Sequence, residues 1–177
     1  MRKSFTEAEA ASIIHQLCDA AQYLHTRHVI HRDIKPENVL ITSHSPLTVK
    51  ICDFGWAAHA VDQRRQTFCG TVDYVAPEIA RKDVYGPEID IWCIGILLYE
   101  LLTGRPPFLT TTDKETFDKI KRQDYVLPSF LSLEAISLIK SVLVEGKSRL
   151  SLQEIMEHEF MVNNLCNRRS LPDDFNR

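Results

Sequence analysis

The sequence predicts a mainly helical domain carrying one small β-hairpin. Three observations lead there. The chain opens on a capping box, Thr6 with Glu9, followed by apolar residues at helical spacing. Helix-start signals recur beyond Pro87, at Thr112, Ser132 and Ser151. Between these helical parts lie two short β-like runs, Val39–Ile41 and Val49–Cys52, joined by the turn-rich connector TSHSPLT.

Each element has its own justification. Ile13, Leu17, Ala21 and Leu24 place one apolar stripe on a helix running from about Thr6 to Arg27. Pro46 within the connector favours a turn between the two strands. From Asp53 to Glu78 no period is visible, and so long an irregular segment inside a domain is usually functional. Pro87 suits the first turn of the next helix and Gly104 its C-terminal stop. The apolar run Ile91 to Tyr99 is far short of the roughly 20 residues of a membrane span and reads as a buried helix. Everything after Pro87 is expected to be helical, with a polar, fraying tail from Asn163 to Arg177.

Composition narrows the function classes. At 177 residues the chain has the length of one domain. Its net charge of −3 argues against a nucleic acid or an anionic membrane as the main partner. Five scattered cysteines with no C-x-x-C pair suit reduced thiols in the cytoplasm or nucleus, and no secretory signal is visible at the start.

The chemistry concentrates in VIHRDIKPENVLI, Val29 to Ile41. Charges and amides packed between apolar flanks describe a catalytic loop on a rigid mount, with Val39, Leu40 and Ile41 anchoring one side and Val49 and Ile51 the other. HRDIKPEN is followed by DFG at Asp53–Gly55 and by APE at Ala76–Glu78, in that order. Together these motifs resemble the C-terminal lobe of eukaryotic protein kinases.

That resemblance implies a mechanism and its residues. Asp33 would accept the proton of a substrate hydroxyl, and Lys35 would place a cation near the transferred phosphoryl group. Asn38 and Asp53 would ligate Mg²⁺, while Glu37, Asn38, Leu40 and Asp53 would line the ATP site, Leu40 beneath the adenine. Thr71 would bridge the catalytic Asp and Lys, Glu78 would pair with Arg149, and Asp90 would hold the backbone of the catalytic loop.

Within the family, Trp56 directly after DFG and RRQTFCGTVDY at Arg64–Tyr74 resemble Aurora kinases, and Lys35 at its offset indicates serine/threonine specificity. Thr67 is then the expected activating phosphosite, with Arg32 and Arg65 as receivers of a phosphate of about −1.5 to −2 charges. Glu37 and Glu100 would bind an arginine two residues before the target, so the partners implied are proteins with Arg before Ser/Thr, and an activator protein. The segment Arg64-Arg65-Gln66-Thr67 fits that pattern itself, as Arg168-Arg169-Ser170 does in what reads as a solvated tail. A role in cell division, at spindle, centrosome or chromosome, follows from the resemblance alone.

Some features carry blander readings. His25, His28 and His31 are evenly spaced, yet no acidic or cysteine ligand completes a zinc set. Cys52 reads as a small packing residue that would face the nucleotide, and Cys69 beside Thr67 as a thiol of unknown reactivity. No three glycines fit G-x-G-x-x-G, and the residues before His31 leave no room for an N-terminal lobe. The expected organisation is a partial kinase domain at 1–162 with a tail at 163–177. The alternative is a non-catalytic kinase-like module that competes for substrates or regulators.

Overall fold

The computed structural model describes residues 4–59 and 71–166. Helix α1, Glu7–His25, begins at Thr6, whose side chain accepts from Glu9 N while the Glu9 carboxylate accepts from Thr6 N, completing the capping box. Strand β1, Val29–Ile30, leads into the charged loop, and a 3-10 turn, Pro36–Asn38, leads out of it. Strands β2, Val39–His44, and β3, Leu47–Ile51, form the hairpin, with Val39 opposite Ile51 and Ile41 opposite Val49. Strand β4, Ala58–His59, then returns antiparallel to β1.

The second half is built around α3, Glu88–Thr103. Ile89, Trp92, Ile94, Ile96, Leu97 and Leu98 are all buried, so α3 is apolar around its whole circumference and forms the central post of the core. Gly104 ends it in the left-handed region, φ 83°. Short helix α2, Pro77–Ala80, precedes it; α4 (Asp113–Arg122), α5 (Leu133–Val142), α6 (Leu152–Glu157) and α7 (Glu159–Cys166) follow. Helix α1 packs against β3, α3, α6 and α7, joining both halves in one core.

Several local expectations need correction. The strands extend into the connector, leaving only Ser45-Pro46 as the turn, because Gln16 on α1 supports the hairpin from below. Gln16 Nε2 donates to Leu47 O at 3.1 Å and its Oε1 accepts from Val49 N at 3.0 Å, replacing a missing neighbouring strand. Leu40 does not anchor the loop in the core, being 50% exposed; the inner side is carried by Val39 and Val49, with Ile41, 40% exposed, beside them over an apolar cavity lined by Phe5, Ile13 and Leu97. The chain beyond Pro87 is interrupted by non-helical links at 104–112 and 123–132. Thr112 caps α4 through Glu115 N without the reciprocal bond, whereas Ser151 and Glu154 complete their box. Helix α7 continues past residue 162 to Cys166, since Leu165 still packs against the core and Asn164 Nδ2 donates to Phe160 O at 2.9 Å.

Candidate active site

The loop between β1 and the 3-10 turn is fixed first through its backbone. Asp90, fully buried near the start of α3, accepts from His31 N at 2.9 Å and from Arg32 N at 2.8 Å. His25 Nε2, at the end of α1, lies 2.8 Å from the same carboxylate. Arg32 has φ 69°, a conformation that ordinary side chains rarely adopt, and the two Asp90 bonds hold it there. One carboxylate thus joins α1, α3 and the loop.

The loop's side chains then form one network. Asp33 is buried; its Oδ2 lies 3.0 Å from Lys35 Nζ and accepts from Asn38 Nδ2 at 2.8 Å. Asn38 Nδ2 also donates to Asp33 O at 2.8 Å, so both amide protons are used and the amide oxygen remains an acceptor for another group. Lys35 Nζ donates to Thr71 Oγ1 at 3.0 Å, which bridges it to the segment before α2. Asp33 Oδ1 is buried without a hydrogen-bond partner. An orphaned carboxylate oxygen is costly and marks a place where a donor is due.

The DFG segment is sewn to this loop. Cys52 N donates to Asn38 O at 2.9 Å, and His31 Nε2 lies 3.2 Å from Cys52 O. His31 Nδ1 accepts from Asp33 N at 3.3 Å, so the Nε2–H tautomer satisfies both contacts. Phe54 packs edge-on against the His31 ring, centroids 4.9 Å apart. Asp53 takes φ 60° and its Oδ1 accepts from Gly55 N at 3.0 Å. Asn38 and Asp53 together offer hard oxygen donors, a set suited to Mg²⁺ and poorly suited to zinc. The three histidines have separate partners: His25 and His31 as given above, and His28 against the His59 ring.

Charge gathers beside the loop. Tyr74 OH donates to Glu100 Oε2, and burial followed by this bond pushes the tyrosine far above its ordinary value. Burial raises the Glu100 carboxyl, the Tyr74 bond pulls it back, and the charges of Glu37 and Asp73 push it up again. Glu37, Asp73 and Glu100 therefore form one acidic cluster around Tyr74. Burial and Asp113 raise Asp73 likewise.

The expected supports come together as well. Arg149 Nη1 donates to Glu78 Oε1 at 3.0 Å and to Glu88 O at 2.6 Å, and its Nη2 donates to Val144 O at 2.9 Å. Arg32 Nε donates to Trp56 O and its Nη1 to Tyr85 OH at 3.1 Å. Cys52 is half-buried with a free thiol. Arg65, Thr67, Cys69 and Arg168–Ser170 lie outside the described residues. Gln16, Tyr74 and Tyr85 were not legible as site neighbours: each meets its partner across many intervening residues, and no local pattern signals such a contact.

Two cavities, about 630 Å³ between α2 and α4 and about 490 Å³ around Glu78 and Lys147, lie apart from Asp33 and Asp53. Among the described residues, no helix is long and apolar enough to cross a membrane.

Comparison with known proteins matches the protein kinase domain over residues 1–161. Mouse Aurora kinase C is 43% identical over 94% of this chain and 59% of its own length. Aurora kinase B of Drosophila melanogaster is 41% identical over 93% of this chain and 50% of its own length. An Aurora kinase of Dictyostelium discoideum is 43% identical over 89% of this chain and 41% of its own length. The chain spans about half the length of the relatives it matches. It belongs to the protein kinase family and, within it, is similar to the Aurora serine/threonine kinases.

Proposed function

We propose that this chain is the C-terminal lobe of an ATP- and Mg²⁺-dependent serine/threonine kinase that phosphorylates protein sites with a preceding arginine. The lobe includes the whole of α7, to Cys166, and the activity is that of a protein of the length of the relatives it matches. The observation that carries the reading is Asp33: one carboxylate oxygen is held by Lys35 and Asn38, and the other is buried with no donor.

A serine or threonine hydroxyl at that bare oxygen satisfies it, orients the nucleophile and gives its proton a destination. Lys35, kept beside Asp33 and Thr71, places a positive charge where the incoming phosphoryl oxygens gather. Asn38 and Asp53 would hold the metal, and Leu40, half exposed, would offer the adenine an apolar floor, with exposed Glu37 at the rim of the nucleotide site. Bound ATP and Mg²⁺ supply the phosphoryl group and offset its charge. The acidic cluster of Glu37 and Glu100 favours an arginine two residues before the target. Thr67, once phosphorylated, is received by Arg32 and Arg65 and orders its segment. By likeness to the Aurora kinases, the setting is cell division in cytoplasm or nucleus, with an activator protein as a further partner.

The test is transfer from ATP to an Arg-Arg-x-Ser peptide by the full-length gene product. Asp33→Asn should lower kcat by about 10²–10⁴ with KM nearly unchanged. An unimpaired Asp33→Asn enzyme would sink the reading.

A further inference from the structure

Helices α2 and α4 border a cavity that the catalytic reading does not use. Arg81, at the end of α2, fixes the gap between them: its Nη2 donates to Lys121 O at 2.8 Å, and its fork grips Glu145. Helix α4 turns Thr116 and Ile120 into the core. Its positions 113, 114, 117, 118 and 121 share one helical face and line about 630 Å³ of space opposite Ile79 and Ala80. The floor is apolar, made by buried Ile79 and by Phe117, which packs partly against the core. The rim carries Lys82, Lys114 and Lys121, all exposed. Among the described residues, no hydrogen bond or ion pair engages these three side chains. Set against the carboxylates of Asp113 and Asp118, the three ammonium groups leave the rim net positive, in a chain of net charge −3. Of those two carboxylates, Asp113 already acts on Asp73 in the acidic cluster around Tyr74.

An apolar floor attracts a large apolar side chain, and ammonium groups around it attract carboxylates on either side of that residue. We propose that the cavity between α2 and α4 is a docking site for a segment of a partner protein in which one aromatic or large aliphatic residue is flanked by Asp or Glu. The inference does not need the kinase reading; it adds a second surface of opposite sign. The cluster of Glu37, Asp73 and Glu100 repels such a segment, and the lysine rim repels an arginine-bearing one. Each surface thereby rejects the other's ligand. Because Arg81 already fixes the two helices, docking requires no opening of the fold.

The probe is a dye-labelled peptide, blocked at both ends, with one tryptophan between pairs of glutamates, titrated against the full-length gene product by fluorescence anisotropy. Saturable binding with a Kd of about 1 mM or lower is expected. Replacing the tryptophan by serine should weaken it about tenfold, through loss of the apolar anchor. Lys82→Glu combined with Lys114→Glu should also weaken it about tenfold, since two attractions become repulsions. Both lysines are exposed, so the urea midpoint of this variant should match the parent. Bound peptide should slow hydrogen exchange in α2 and α4. Absence of saturable binding would overturn the proposal. So would binding that ignores the charge reversal, or equal binding of a peptide with lysines in place of the glutamates. Self-association in sedimentation that the charge reversal abolishes would assign the face to a second copy of the chain, and would overturn it too. None of these readouts uses ATP or transfer, so their failure leaves the kinase reading standing, and failure of the Asp33 test leaves this one measurable.

Discussion

Burial separates the ion pairs of this chain into those that matter to stability and those that do not. The Arg149 side chain is wholly buried, and its fork is divided between Glu78 and two backbone carbonyls. Removing the Glu78 charge leaves a buried cation uncompensated, so Glu78→Gln should cost about 3–5 kcal/mol in urea unfolding. The bidentate Arg81–Glu145 pair has comparable distances, but its side chains are 34% and 55% exposed. Glu145→Gln should therefore cost less than about 1 kcal/mol. Equal losses in the two variants would contradict this ranking. Glu100 supplies a pH signature. Its carboxyl, raised mainly by burial, binds a proton more tightly in the folded chain than in the unfolded one. Stability from this group accordingly grows as pH falls through the raised value and levels off below the ordinary carboxylate range. Glu100→Gln lacks that titration yet can still accept from Tyr74. The variant should be at least as stable as the parent at neutral pH, and the gap should narrow on acidification. A gap that stays constant with pH in denaturant titrations would show that burial does not govern this carboxyl.

At the level of elements, the helices were readable from their ends and the loops from their motifs. Thr6, Ser132 and Ser151 each cap a helix as their side chains allow, because an N-cap bond is made within one turn and needs nothing from the rest of the molecule. The hairpin was legible in its apolar runs but not in its length, which depends on Gln16 reaching across from α1. The contact between α3 and α5 depends equally on partners remote in sequence. A Cβ on Gly95 would lie 2.5 Å from Val142 Cγ1 and 2.9 Å from Leu143 Cδ2. Gly95→Ala gains about 0.5–1 kcal/mol of helix propensity and loses about 1–3 kcal/mol to overpacking. The variant should unfold at lower urea concentration than the parent. A more stable variant would mean that α5 can withdraw freely from α3.

For the whole molecule, the central fact is that one buried helix and one buried carboxylate organise the site. Helix α3 brings Asp90 under the loop, and α1 brings His25 to the same carboxylate from the other side. The candidate loops thereby sit at the edge of a continuous core, with Leu40, Ile41, Phe54 and Trp56 left at the surface beside them. By itself the sequence determined the family and most site candidates, because HRDIKPEN, DFG and APE are contiguous motifs whose chemistry lies in the residue types themselves. It also determined where most helices begin, since capping is local. Only the tertiary structure decided which neighbours these side chains meet: that Asp33 keeps one bare oxygen, that Leu40 is half exposed, and that Arg32 rests on Tyr85. Hydrogen bonds and burial between residues far apart in the chain are set by packing around α3, and packing has no short-range imprint in the order of the amino acids.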